Sequence, residues 1–364
     1  MAARPWRRPG PLWRGVLRAV DALGHVQALR VSRTGHDNPR TRHVVGVLGF
    51  SWYSSKVARA IQEEWAAGVE VFPPVVQVQT VNRCQAACAF CPYPDTVARE
   101  PREVMADETW TRIARECASE PGLRSLVPMS QNEPLLDSRL AERIAEFTAI
   151  RQPHQWVEIV TNGAALTLDR LRRLGRAGLD IVTVSLNASD EETYDRVMRG
   201  LSWQRVTANL DAINEADVPD VNVYVRHTRS LANPRERRGL RRRWRTLNWF
   251  GFTINNRAGT VRGFERLRVR RAEWWRTIRR RAVDKTLAGC PYVFGIAHVQ
   301  ANGDVPFCDN DWAHRLVLGN VNDTSLRELF NSPTMNEVRR LQMERRFDEI
   351  DACRECSVRE DLFR

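Results

Sequence analysis

Seven of the eight cysteines fall into two groups, and this grouping limits the fold more than any other feature of the chain. Cys84, Cys88 and Cys91 are spaced C-x3-C-x2-C. Cys290, Cys308, Cys353 and Cys356 follow near the C-terminus, the last two as C-x2-C, and Cys117 stands alone. The N-terminus is basic (Arg4, Arg7, Arg8, Arg14, Arg18) but lacks the compact apolar stretch of a secretory signal, and no apolar run reaches transmembrane length. A cytoplasmic location with no membrane span is therefore expected. In a reducing compartment, thiols at these spacings read as metal ligands rather than disulfides.

Three thiolates on one loop can hold three irons of a four-iron cluster and leave the fourth open to a small molecule. A zinc site would want a fourth ligand nearby, and no Cys or His lies between Cys91 and Cys117. The four later cysteines can ligate one four-iron cluster completely or make a closed zinc site. Their spacing alone prefers neither.

From Val75 onward, short apolar runs alternate with amphipathic stretches. The strand candidates are 75–81, 125–130, 156–161, 181–186, 221–226 and 251–255. Helix candidates lie near 107–119, 138–150, 167–176, 190–198, 203–216 and 234–247. Such alternation implies an α/β fold with a parallel sheet and helices outside it. Six units suggest an incomplete, partly TIM-like parallel β/α barrel, with chemistry at the C-terminal ends of the strands. The alternation stops after about Asp284. The expected organisation is a basic N-terminal extension (1–71), a core (72–285) and a small C-terminal cluster-binding domain (286–364). The extension shows helical patterns around 11–31 and 54–66 and no motif, and a membrane-surface contact by 11–31 is left open.

The net charge is +12, with lysine only at Lys56 and Lys285. The densest basic run, Arg226 to Arg281, reads either as a phosphate or nucleic-acid patch or as a solvated helix face. The second is expected, because a charge run alone specifies little.

The segment Asn82 to Pro92, with Phe90 before the third cysteine, resembles the cluster loop of the radical S-adenosylmethionine (SAM) superfamily. The resemblance implies a [4Fe-4S] cluster on Cys84, Cys88 and Cys91 whose open iron binds SAM, with Phe90 near the adenine. It also implies reductive cleavage of SAM to a 5′-deoxyadenosyl radical that takes hydrogen from a substrate, with a one-electron donor such as flavodoxin or ferredoxin. Further matches follow in order. Ser130-Gln131-Asn132-Glu133-Pro134 stands where the family has a Gly-Gly-Glu-Pro-like stretch, which implies Asn132 and Glu133 as SAM contacts. Thr161-Asn162-Gly163 matches a common turn. Ser185-Leu186-Asn187, followed by Arg199-Gly200, matches a Ser-Leu-Asp segment and implies Ser185, Asn187 and Arg199 as further contacts. Ser-Gln-Asn in place of glycines, and Asn187 in place of Asp, are departures from the pattern.

Cys290, Gly303 and Cys308, then Leu318-Gly319-Asn320, then Cys353 and Cys356 resemble the SPASM and Twitch extensions of such enzymes. Nothing cysteinyl follows Cys356, so the shorter Twitch form is implied, with one auxiliary [4Fe-4S] cluster suited to electron transfer. The implied reaction is oxidation or epimerisation of a sugar, aminocyclitol or related natural-product intermediate, as in antibiotic biosynthesis. Modification of a ribosomally made peptide, RNA modification, and a non-catalytic iron–sulfur or zinc protein are the alternatives. The expected partner is a small molecule rather than nucleic acid.

At the strand ends, Arg226 and His227 are candidates for orienting a hydroxyl or acting as base. Asn255, Asn256 and Arg257 lie at the same level, and Asp309 and Asp311 beside Cys308 can reach substrate or stabilise their loop. Cys117 falls on the apolar face of its helix with Trp110 and Ile113, the place of a core residue rather than a hydrogen donor.

Overall fold

The computed structural model describes residues 58–216, 218, 220–233, 240, 243–244, 246–253, 256–267 and 288–359. Most of the N-terminal extension, most of the helix expected over 234–247, Asn255, Trp274, Trp275 and much of the arginine-rich run lie outside the described residues.

After a helical stretch at 58–66 the chain alternates. It runs β1 (Val75–Val78), α1 (Asp107–Ser119), β2 (Ser125–Val127), α2 (Leu140–Ile150), β3 (Trp156–Thr161), α3 (Leu168–Ala177) and β4 (Ile181–Ser185). Then come α4 (Glu191–Val197), α5 (Trp203–Glu215), β5 (Asn222–Arg229), β6 (Asn248–Thr253) and α6 (Phe264–Leu267). The C-terminal part adds α7 (Pro291–Gly295), β7 (Ile296–Val299), β8 (Asp304–Pro306), β9 (Val317–Asn320), α8 (Leu326–Phe330), α9 (Pro333–Met343) and α10 (Asp351–Arg354).

Six strands order consecutively in one parallel sheet, as the alternation predicts. A seventh joins them, giving the order β6-β5-β4-β3-β2-β1-β7. Strand β7 pairs in parallel with β1, Val75 opposite Ile296 and Gln77 opposite His298. The C-terminal segment is thus woven into the barrel and covers the β1 edge, whose backbone groups would otherwise lie open. A small antiparallel pair, β8 with β9, projects beyond it.

Local signals fix the helices. Thr167, Asp190 and Ser202 cap α3, α4 and α5 by accepting from Arg170, Thr193 and Arg205 N–H groups. Ser325 and Glu328 form a capping box on α8. Helix α1 buries Trp110, Ile113, Ala114 and Cys117 against the sheet. Each large apolar side chain placed there contributes about 1.5–3 kcal/mol. Cys117 is 0% exposed, a core residue as its spacing predicts. Among the described residues no helix is long and apolar enough to cross a membrane.

Candidate active site

The loop after β1 carries the first three cysteines, and short-range bonds hold it on several sides. The Tyr93 hydroxyl accepts from the Cys84 N–H at 2.8 Å and donates to the Asn82 carbonyl at 3.3 Å. The N–H groups of Ala87 and Ala89 donate to the carbonyls of Arg199 and Val197 at 2.8 and 2.9 Å, docking the loop on the end of α4. The Cys91 N–H closes onto the Cys88 carbonyl at 3.1 Å. Phe90 packs against Val261 and Phe264, across the mouth of the barrel.

Glu133 lies at the end of β2, only 2% exposed. Its carboxylate accepts from Thr161 Oγ1 at 2.6 Å, Asn162 N–H at 2.7 Å and Leu135 N–H at 3.1 Å, so it braces the β3 turn. Burial still pushes its carboxyl up. Its own N–H donates to the Arg83 carbonyl at 2.8 Å, fastening this loop to the cysteine loop. Asn132 accepts from the Ser130 N–H through Oδ1 at 2.9 Å, while its buried Nδ2 has no hydrogen-bond partner. Ser185 accepts from the Arg226 guanidinium at 3.0 Å. Asn187 is spent on structure: its Oδ1 accepts from the Thr228 N–H at 2.7 Å and its carbonyl from Asn233 Nδ2 at 2.7 Å. Arg199 is exposed, with its charge toward Cys88.

Side chains alternate across a strand, so neighbours on β5 part company. Arg226 turns toward Ser185. His227, 1% exposed, faces the other way with Nδ1 3.0 Å from the Leu186 carbonyl oxygen. Arg226 and His227, grouped at one mouth on sequence alone, thus lie on opposite faces of β5.

Cys290, Cys308, Cys353 and Cys356 line one cavity with Phe347 and Gln342. Hydrogen-bond donors surround their sulfurs. The Asn310 N–H reaches Cys308 Sγ at 3.4 Å, and Gln342 Nε2 reaches Cys353 Sγ at 3.4 Å. Tyr292 and Val293 offer N–H groups to Cys290, and Val358 and Arg359 offer theirs to Cys356. In the first group, the Ala86 N–H lies 3.5 Å from Cys84 Sγ, and the Tyr93 N–H serves Cys91. Core-bound Cys117 has no such donor, only the repelling charges of Glu116 and Glu120. Donors aimed at sulfur are what thiolates of a metal cluster require.

Without metal, burial holds these thiols protonated, Cys84 pushed up to about 12. Metal binding displaces such protons. Among the described residues, no group of three Cys, His, Asp or Glu side chains that could hold a metal ion is found.

Between the two groups lies a cluster of polar side chains. Arg226, Tyr292 and Asp309 are surrounded by protein yet keep accessible surface. Arg257 Nη1 is 3.6 Å from Asp309 Oδ1 and 3.0 Å from Asn310 Oδ1, and its guanidinium sits over the Trp312 ring. Its charge is felt both at Cys91 and at Cys356, so it stands between the two cysteine sites. Burial and the charge of Arg257 bring Arg226 down to about 10. Burial pushes the Asp309 carboxyl up, with Arg257 opposing. Tyr292 is also pushed up, by burial and the charge of Asp309. Sequence reasoning named Arg226, Arg257 and Asp309 but missed Tyr292 and Gln77, whose only signals were proximity to Cys290 and strand alternation. Asp311 is spent on Arg315, at 2.9 Å. Asn256 bonds Ser357 next to Cys356, its N–H 2.9 Å from Ser357 Oγ, and ties the barrel to the second cysteine site.

Residues 78–228 match the Radical SAM superfamily, and residues 290–357 match an iron–sulfur cluster-binding domain of the SPASM kind. A probable GTP 3′,8-cyclase of Methanopyrus kandleri is 35% identical over 151 residues, covering 41% of this chain and 46% of that protein. The PqqA peptide cyclase of Granulibacter bethesdensis is 29% identical over 164 residues, 44% of this chain and 42% of the other. The chain thus spans less than half the length of these curated relatives. Among solved structures, BtrN in complex with AdoMet and 2-DOIA is similar with a TM-score of 0.56 at 16% identity, over 79% of this chain and 94% of that one. Streptococcus suis SuiB bound to precursor peptide SuiA is similar with a TM-score of 0.61 at 13% identity, over 76% of this chain and 68% of the other.

Proposed function

We propose that this chain, which carries a radical SAM domain followed by a SPASM-type iron–sulfur domain, oxidises a hydroxyl-bearing carbon of a small polar molecule such as a sugar or aminocyclitol. One observation supports the reading: Arg226, Tyr292, Arg257 and Asp309 cluster between the set of three cysteines and the set of four.

Cys84, Cys88 and Cys91 would hold a [4Fe-4S] cluster with one iron free for SAM, and Cys290, Cys308, Cys353 and Cys356 a fully ligated one. Loaded with these groups, the first site would supply reductive SAM cleavage and hydrogen-atom abstraction, and the second would supply an acceptor for the electron left on the substrate. The protein handles the proton. Asp309 accepts it from the substrate hydroxyl, and a carboxyl raised by burial is the better base for that task. Arg257 and Arg226 orient the hydroxyls, and Ser185 fixes the Arg226 guanidinium. Phe90 keeps water from the mouth, where it packs on Val261 and Phe264. Glu133 and Asn132 hold the loop facing SAM, with the Asn132 amide lacking a protein partner. The alignment over 94% of BtrN, whose structure holds AdoMet and 2-DOIA, supports a substrate of that small polar kind.

A second reading, epimerisation, is favoured by Tyr292 alone, because an inverted carbon radical needs a hydrogen donor, Tyr292 stands beside Asp309 and Arg257, and Cys117 is in the core. The two separate when the cluster-loaded protein is incubated anaerobically in deuterium oxide with SAM, a reductant and a panel of polyols and aminocyclitols. Oxidation gives a carbonyl product matched one-to-one by 5′-deoxyadenosine. An alcohol of inverted configuration carrying solvent deuterium at carbon would replace the first reading with the second.

A further inference from the structure

The departure of Ser130-Gln131-Asn132 from glycines has a visible destination. The Ser130 hydroxyl touches His298 Nδ1 and lies 3.2 Å from Gln77 Oε1. Gln131, 1% exposed, places Oε1 2.8 Å from His314 Nε2. Both histidines come from the C-terminal part, His298 on β7 and His314 in the loop before β9, and their rings are 6.4 Å apart. His314 holds a left-handed backbone at φ +48°, a conformation that a non-glycine residue keeps only where surrounding contacts enforce it.

The donors in this chain have a fixed order. Gln77 hydrogen-bonds Asp309, and against a carboxylate it can only donate its Nε2–H. Its Oε1 is then left to accept from the single hydroxyl proton of Ser130. Ser130 in turn accepts from His298, which must carry its proton on Nδ1. Burial and the nearby charge of His314 bring His298 down to about 3, so at neutral pH the ring carries one proton, and this bond places it on Nδ1. Register sets the geometry, because Gln77 and His298 are direct partners across β1 and β7. At its other end the same loop is tied by the Glu133 N–H to the Arg83 carbonyl at 2.8 Å, one residue before Cys84.

We propose that His298, Ser130 and Gln77 are positioning residues that set the loop facing SAM against the auxiliary site. The chain of contacts runs from Asp309, beside Cys308, through Gln77 and Ser130 to the Glu133 loop and Cys84. In this molecule the SAM site is shaped by the C-terminal domain, and disturbing β7 changes SAM affinity without touching a SAM contact. The inference rests on the reading of the 82–133 region as a SAM site.

The test is SAM binding by equilibrium dialysis to full-length, cluster-loaded protein, with iron and sulfide content measured on each sample. Loss of one hydrogen bond of about 1–1.5 kcal/mol predicts that Ser130→Ala and His298→Leu each weaken SAM binding about five- to tenfold. The double variant should be no weaker than either single, since both break one chain. His298→Asn, whose amide can stand where Nδ1–H stood, should recover affinity to within about threefold of wild type, on the same scale. Unchanged SAM affinity in both singles, at wild-type iron content, would overturn the inference, as would losses that multiply in the double. Wild-type protein that is fully loaded yet binds no SAM would instead overturn the SAM-site reading, and this inference with it.

Discussion

The Ala87 N–H donates to the Arg199 carbonyl at 2.8 Å, and this one backbone bond seats the first cysteine loop on the turn that ends the fourth α/β unit. The next residue, Gly200, has φ +85°, and a Cβ there would stand 2.8 Å from the Gln85 carbonyl oxygen. Backbone against backbone cannot yield as a flexible side chain can. Gly200→Ala should therefore destabilise the chain by about 1–3 kcal/mol and loosen the loop. Iron analysis and a thermal melt check it: the melting temperature falls and iron is lost from the first site while the second stays loaded.

The seven grouped cysteines and Cys117 should separate cleanly. Four irons per cluster predict about eight per wild-type chain. Replacing Cys88 or Cys353 by Ala should bring the count to about four, and Cys117→Ala should leave it at about eight. Cys117 sits in the core against α1 neighbours, so its loss should show only as a modest stability cost of about 1 kcal/mol.

If Asp309 is the base of the proposed oxidation, it should give the reaction its pH dependence. Its carboxyl is raised by burial, and a base must be ionised to act, so the rate should climb with pH through a value above the ordinary carboxylate range. Asp309→Asn should lower product formation by about a hundredfold and remove that limb. A pH–rate profile of both proteins tests this, and an identical limb in the Asn variant would assign it to another group.

Glu158 lies inside the barrel with Ser125 Oγ at 3.1 Å, and burial raises its carboxyl. A raised acid keeps its proton in the folded state where the unfolded chain has lost it. Stability from this group is full below the unfolded value and is lost as pH rises toward the folded one. Glu158→Gln should abolish that decline. Its melting temperature should match wild type below the ordinary carboxylate range and exceed it increasingly as pH rises above that range.

Much of the barrel was legible because its signals are local. Helix α1 spans Asp107–Ser119 and β3 spans Trp156–Thr161, the same residues that periodicity picks out. Strand β6 lies at Asn248–Thr253, a few residues before its expected place. What could not be read was pairing over long distance. Ile296–Val299 is four residues long, and nothing in it says that it lies beside Val75–Val78. The cysteine groups were legible by spacing, whereas the polar cluster between them was only partly so. Gln77 and His298 meet through the β1–β7 seam, so their meeting depends on the one pairing that the sequence hides. Arg226 and His227 part because a one-residue step on a strand reverses the face.

The most direct measurement is 5′-deoxyadenosine release under anaerobic conditions, with SAM and a strong reductant, from cluster-loaded wild type and from Cys88→Ala. The cysteine geometry predicts release from the wild type alone. A wild type that binds SAM, carries both clusters and releases none with any hydroxylated substrate would contradict a radical mechanism at this site.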